Sequence, residues 1–405
     1  MMERKLPLEG IKVVELGTHV AVPNATRFMA DWGAEVIKVE GVRGEEWRVI
    51  GNSYYTPVAD DENPIFTVQN ANKEFIAIDL KNPDGMEIMK KLIREADIFI
   101  SNVRLNSLKK MKLDYEAVKP LNPQIIYCHF TGFGYEGPDR NRPGFDMAAY
   151  WARSGAMSDW VSKGDYPIKP PGGFGDATVS ANICSGILAA LYARTQSGKG
   201  TFLTSSLYSS AIWYNSTGIV STQEKYGNVY PKDKNQPVNP FSHIYKCKDE
   251  EYVIITVLDY NNSWEKMVTM LGFSEYLNDE RFNTILAVRE NMDEFIKIIN
   301  HAFLKKDREE WCQLFDQADI VYEKLAHMSE VTKDPQAWEN NFLTEVTFPN
   351  NNTAILPTVP IQFSEYEVTK YIPSGKVGRD SLEILQKLGY SEAEFAELVE
   401  KKAIK

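Results

Sequence analysis

The chain has 405 residues, 43% hydrophobic and 25% charged, which excludes a disordered or collagen-like polymer and predicts either two or three domains or one large α/β unit. A formal net charge of −11 excludes a broad nucleic-acid-binding face, because phosphate binding needs a basic footprint. No apolar run approaches the ~18–20 residues that span a bilayer, and the opening MMERKLPLEG lacks an apolar signal core, so the expectation is a soluble cytoplasmic protein with no nucleic acid and no membrane among its partners.

The first forty residues read as a β-α-β unit. Ile11 to Leu16 is an apolar strand, Gly17 to Pro23 a loop, and Ala25, Phe28, Met29 and Trp32 fall on one face of a helix. Gly33 ends that helix and Ala34 to Val39 is the next strand. The loop reads GTHVAVP and lacks the GxGxxG fingerprint of dinucleotide sites. Phe75 to Leu80 is a further strand, Asn82 to Gly85 a turn and helix start, and Met86, Met89, Leu92 and Ile93 an apolar helix face. Ile98 to Ile100 and Ile125 to His129 are strands, so alternating elements through about residue 130 predict a doubly wound parallel sheet. Residues 131–146 form a Gly/Pro-rich loop, and a second such cluster lies at 170–175. A helix rich in small residues runs from Asp176 to about Thr195. Residues 223–243 read as a linker, 251–258 as a strand followed by amphipathic helices, and the C-terminal end as a strand-like TAILPTVPI and a charged helix.

Cys128, Cys184, Cys247 and Cys312 are far apart, with no CxxC pair, and read as buried free thiols. The five histidines, His19, His129, His243, His301 and His327, show no HExxH spacing, so no metal site is expected. Asp176 is the strongest candidate for chemistry. It follows GGFG and opens the small-residue helix, where an Asp caps the helix; that role does not exclude a second, because amides and the positive helix end keep a carboxylate ionised, as a carboxylate nucleophile needs. The glycines before it permit close approach of a substrate to backbone N–H groups. Lys38, Arg43, Arg48, Lys73, Lys81, Arg104, Lys109 and Lys110 follow strands of the first β/α region and are candidate counter-charges for phosphates, or solvated surface groups. Glu15 and Asp146 are acids that suit a site or a structural pair. Tyr150, Trp151, Met157 and Trp160 suit an apolar acyl pocket or the core.

Taken in order, LEGIKVVEL, ADWGAEVIKVE, NANKEFIAIDLKNPDG, TGFGYEGPDRNRPGFD, SGILAALYARTQSGKG and VGRDSLEILQKLGYSEAE resemble the motifs of the family III CoA-transferases, the formyl-CoA and carnitine-CoA transferase superfamily. The resemblance implies a Rossmann-like large domain with a parallel sheet, a smaller α/β domain, and an interlocked, ring-like homodimer. The implied boundaries are 1–215 for the large domain, 225–325 for the small one and 326–405 for a segment returning to the large one. The family's G-D pair matches Gly175-Asp176, implying Asp176 as nucleophile. CoA contacts carried over are Val20, Ala21, Ile78, Lys81, Asn102, Arg104, Lys110 and Arg142. Phe145, Asp146, Tyr150, Gly173 and Gly175 would form the acyl pocket and oxyanion loop. Coenzyme A and acyl-CoA enter as substrates, with no permanently bound cofactor. Two departures stand out. Gly41 occupies a position that is basic in formyl-CoA transferase, with Arg43 nearby, and the glycine-rich lid of that enzyme has no counterpart before residues 240–250.

The related α-methylacyl-CoA racemases need an acid–base pair and carry G-H-D where this chain has Gly144-Phe145-Asp146. Phe145 exchanges no proton, which disfavours racemase chemistry. ENPIFTVQNANKEFIAIDL, PGFDMAAYWARSGAM, VYPKDKNQPVNPF and DPQAWENNFL resemble clostridial enzymes acting on 2-hydroxy acids of the 2-hydroxyisocaproate or phenyllactate type in amino-acid fermentation. Carnitine and bile acids are alternative acceptors, and a non-catalytic CoA-binding protein is an alternative class.

Overall fold

The computed structural model describes residues 6–366 and 371–405, so the first five residues of the N-terminal stretch lie outside it. The chain forms two compact units. The larger comprises residues up to Ala156, Lys169–Val220 and Pro335–Lys405; the smaller comprises Met157–Ile168 and Ser221–Asp334.

The larger unit is built on six strands: β1 (Lys12–Leu16), β2 (Glu35–Glu40), β3 (Glu74–Ala77), β4 (Ile98–Ser101), β5 (Ile126–Thr131) and β6 (Thr201–Ser206). All are parallel, in the order β3-β2-β1-β4-β5-β6. Val14 sits opposite Ile37 on one side and Phe99 on the other, so the apolar runs stack across the sheet. Those runs suit a sheet covered on both faces. The chain order reverses between β1 and β4, and ligands of such sheets bind at that reversal, beyond the carboxyl ends of the strands.

The helices before residue 120 are α1 (Ala21–Asp31), α2 (Pro64–Asn70), α3 (Pro83–Glu95), α4 (Leu105–Met111) and the single turn α5 (Tyr115–Val118). Asn82 caps α3 by accepting from the Asp84 N–H at 2.9 Å. Ile88, Met89, Leu92 and Ile93 of α3 are buried on Val14, Ile76 and Phe99. After a π-helical turn at Asp146–Ala152 and the short α6 (Ala156–Asp159) comes α7 (Phe174–Ser197), then α8 (Leu207–Tyr214). With a mean hydropathy of 1.3 over its apolar window, α7 is long and apolar enough to cross a bilayer, contrary to the expectation that no run has that length. Here it packs on α1, β5 and β6, and small residues let the helices meet closely: Ser180 Oγ donates to the Ala21 carbonyl at 3.0 Å.

The C-terminal part packs beside α3 at the β3 edge of the same sheet, where Ile384, Leu385, Leu398 and Ile404 join the core of Ile88 and Leu92. A hairpin of β10 (Leu343–Thr347) and β11 (Thr353–Pro357) precedes helices over Ser381–Lys387 and Glu392–Glu400. Between the larger unit's sheet strands and this hairpin, chain order gives the smaller unit β7 (Ile244–Lys246), β8 (Tyr252–Ile255) and β9 (Tyr322–Lys324), an antiparallel sheet. The smaller unit has its own core, in which Phe241, Trp264 and Phe295 are buried and Tyr245 stacks on Phe303 at 4.3 Å.

Candidate active site

A cavity of about 470 Å³ opens where the sheet order reverses. Thr18 and His19 from the β1–α1 loop and Ala21 at the start of α1 line it, with Asn102 to Leu105 and Ser107 after β4 and His129 to Gly132 at the end of β5. Arg140 to Phe145 and Asp176 complete the wall. The first two loops are tied together: Thr18 N–H donates to Asn102 Oδ1 at 3.1 Å, and Asn102 Nδ2 donates to the Thr18 carbonyl at 2.9 Å. Gly132 and Gly144 let the third and fourth segments cross, since a Cβ on Gly132 would stand 2.6 Å from the Gly144 Cα.

Asp176 lies in the first turn of α7, but it is not the cap. Gly173 holds that position in a left-handed conformation, φ 85°, which glycine adopts without strain. The expectation that helix amides keep Asp176 ionised is therefore corrected. Burial pushes its carboxyl up to about 7, and the negative Asp146 adds to the shift. Asp146 is itself buried at the start of the π-helical turn and accepts from the Gly173 N–H at 2.9 Å. Burial raises its pKa, and the amides of Gly173, Asp176 and Gly175 draw it back down.

Of the CoA-contact residues inferred from sequence, the cavity wall gathers Ala21, Asn102, Arg104 and Arg142, together with Phe145 and Asp176. Val20 is buried behind the wall and packs toward Gly173, where a Cβ would lie 3.2 Å from its Cγ2. Ile78 is a core residue bridged to Ile404, and Lys81 and Lys110 are exposed away from the wall. Tyr150 is 2% exposed and lies under Gly175, so its ring supports the turn from beneath. Met157 and Trp160 belong to the smaller unit.

Three of the candidate cations are spent on structure. Lys38 and Lys73, both fully buried, bracket Glu15 at 2.6 and 2.8 Å, and Lys38 also meets Glu45 at 2.7 Å. Burial would raise the Glu15 pKa, but the two ammonium groups pull it down to about 2. Glu45 accepts from the His19 N–H at 2.6 Å, so this network anchors the first loop of the cavity. Arg48 is held by Glu40 at 2.6 Å and by the Gly375 carbonyl at 2.8 Å. Glu15 is thus the structural pair rather than a site acid.

Sequence reasoning missed His19, Arg140 and His129 as wall residues. His19 has a φ of 66° and its ring meets Phe145 at 5.4 Å and Trp47 at 5.8 Å. The signal available was its place in the loop after the first strand. His129 is buried at the end of β5, with Nε2 2.9 Å from the Val103 carbonyl. Burial lowers its pKa, so the ring is neutral near pH 7. Among the described residues no cluster of His, Cys, Asp and Glu has metal-holding geometry.

A Rossmann-like sheet, an acidic nucleophile candidate at a helix start and three arginines around one cavity describe an enzyme of the α/β class built for an anionic ligand. Residues 8–381 match the model of CoA-transferase family III, and the chain belongs to that family. It is 37% identical over 398 residues to the (R)-2-hydroxy-4-methylpentanoate CoA-transferase of Clostridioides difficile, covering 98% of this chain and 99% of that enzyme. It is 35% identical to the cinnamoyl-CoA:phenyllactate CoA-transferase of Clostridium sporogenes, covering 98% and 96%. A CAIB/BAIF family protein from Brucella suis has the same fold, with a TM-score of 0.82 and 27% identity over 95% of this chain and all of that one.

Proposed function

We propose that this CoA-transferase moves CoA from an acyl-CoA to a 2-hydroxy acid with an apolar side chain, through covalent intermediates on Asp176. The observation that carries the reading is Asp176 opening onto the cavity at the sheet reversal, with Arg104, Arg140 and Arg142 on the same wall. The two relatives named above, which act on 2-hydroxy-4-methylpentanoate and phenyllactate, support the acid class.

In the first step an Asp176 oxygen attacks the thioester carbonyl carbon. The C–S bond breaks, leaving a mixed anhydride and CoA thiolate. The thiolate attacks the Asp176 carbonyl of the anhydride and expels the donor carboxylate, giving an aspartyl-CoA thioester. The acceptor carboxylate attacks that thioester, and returning thiolate then attacks the acceptor's carbonyl to release product acyl-CoA and free Asp176. One thioester replaces another, so the chain's main tasks are positioning and exclusion of water from the anhydride. The arginines would hold CoA phosphates, and the exposed Phe145 lies where an acyl chain would leave the nucleophile.

Mass spectrometry after addition of acyl-CoA in the absence of acceptor should find CoA on Asp176, and Asp176→Ala should lose transfer. Undiminished transfer by that variant refutes the reading. A panel of 2-hydroxyisocaproate, phenyllactate, carnitine and cholate decides the acid: preference for either of the last two overturns the 2-hydroxy assignment.

We further propose a cytoplasmic homodimer. Supporting the dimer are large apolar side chains left exposed: Ile212, Trp213 and Tyr214 on α8, with Trp213 73% exposed, and Tyr192 on α7, 70% exposed. Light scattering should return twice the mass of the chain, and a monomer would refute it.

A further inference from the structure

We propose that Asp146 is a positioning residue: its buried carboxylate clamps the Gly173–Gly175 turn that aims Asp176 and places a second acid beside the nucleophile. The inference rests on the reading of Asp176 as nucleophile. Three observations lead to it. Asp146 Oδ2 accepts from the Gly173 N–H at 2.9 Å, fixing the residue that starts α7. Its other oxygen, Oδ1, is buried and has no hydrogen-bond partner of good geometry; it stands where a Cβ on Gly175 would lie, 2.2 Å away. The turn therefore closes directly over the carboxylate. Asp146 itself begins a π-helical turn, an irregularity found disproportionately at functional sites.

A salt bridge would neutralise a buried carboxylate most simply, yet no cation pairs with Asp146 among the described residues. Amides alone face it. Such an arrangement keeps a negative field next to Asp176, and that field raises the proton affinity of the nucleophile. A more basic carboxylate is a stronger nucleophile once deprotonated. The other titratable or charged groups around the pair are Tyr150 on the π-helical turn, bonded to Thr178, and Tyr214 on α8. His19, His129, Arg104, Arg140 and Arg142 stand on the cavity wall.

Asp146→Asn keeps the acceptor for Gly173 and removes the charge, whereas Asp146→Ala removes both. For Asp146→Asn, the acid limb of the kcat/KM–pH profile should move down by about half a unit or more, with the acyl-CoA KM within about twofold of the parent. For Asp146→Ala, kcat should fall at least about tenfold, with Asp146→Asn recovering most of it at the pH optimum. An unmoved acid limb in Asp146→Asn overturns the inference. Should either variant fold poorly, the infrared carboxyl band of Asp176, assigned by subtracting Asp176→Asn, gives the same titration in the parent protein: a midpoint near that of free aspartate refutes the proposal. The CoA adduct separates the two readings. If the parent forms no adduct on Asp176, the nucleophile assignment fails; if it forms one and Asp146→Asn titrates unchanged, only the role of Asp146 fails.

Discussion

Two buried carboxylates in the larger unit have their pKa values shifted in opposite directions, and both have consequences for stability. Glu15 titrates at about 2 in the folded chain against an ordinary 4.5, because Lys38 and Lys73 outweigh its burial. Its contribution is present above pH 4.5 and is lost as pH falls toward 2. Removing one ammonium by Lys38→Met should cost about 3 kcal/mol at pH 7, the usual penalty for breaking a buried pair; Lys38 is the firmer of the two cations, since burial pulls Lys73 down to about 7. Urea melts should show that penalty shrinking between pH 4.5 and pH 3, and a pH-independent difference would contradict the pairing. Asp176 runs the other way. Its folded pKa of about 7 lies above the ordinary 3.8, so the folded state holds a proton that the unfolded state has lost. Stability contributed by that proton is full below pH 3.8 and falls as pH rises to 7. Asp176→Asn should therefore raise stability at pH 8 by on the order of 1–2 kcal/mol, with the gain vanishing near pH 4. Thermal melts at the two pH values check it, and equal stability at pH 8 would mean that the carboxyl is not perturbed. Residue type and spacing made Asp176 and several arginines visible in the sequence. They did not show which lysines turn inward, because Lys38 and Lys73 look like any cation after a strand until Glu15 is placed between them.

At the scale of elements, the turn ahead of α7 is the tightest construction in the site. A Cβ on Gly175 would stand 2.2 Å from Asp146 Oδ1 and 2.5 Å from Tyr150 Cγ. Both neighbours are buried, so neither can retreat into solvent. Gly175→Ala should shift the turn, reduce kcat by about 100-fold and cost about 1–3 kcal/mol in stability; single-turnover kinetics and a denaturant melt measure the two separately. Normal kcat would mean that the turn does not aim Asp176. The sequence announced this turn through its run of glycines but left open where the helix begins, and Asp176 looked like its cap. Strands β1, β2, β4 and β5 were plain as apolar runs because they are central and covered on both faces. The expected strand over Phe75–Leu80 is shorter, Glu74–Ala77. β6 escaped notice: its sequence TFLTSS carries little apolar signal, and among the described residues it is an edge strand paired with β5. Likewise β7 and β9, three residues each, are too short for any period to show.

At the scale of the whole molecule, the larger unit is completed by the end of the chain. The Phe75 N–H donates to Asp380 Oδ2 at 2.7 Å, the Lys405 N–H to the Ala77 carbonyl at 3.1 Å, and the Asp79 N–H to the Ala403 carbonyl at 2.9 Å. Ile404 enters the core beside Ile78, Ile88 and Leu385. Periodicity alone would not have drawn residues 300 positions apart together; the family resemblance implied that return, and the bonds named here are its physical form. The smaller unit buries a separate aromatic core around Phe241, Trp264 and Phe295. Cores that share no side chains should open independently. Ile404→Asp tests this, because it places a carboxylate without a partner at a position only 3% exposed. Such burial should cost about 3 kcal/mol or more. Hydrogen exchange read by mass spectrometry should show protection falling across β3, α3 and the two C-terminal helices, while peptides over Phe241–Phe315 keep theirs. Equal loss in both regions would show that the two cores unfold as one, and unchanged protection in β3 would show that the C-terminal end does not hold the sheet.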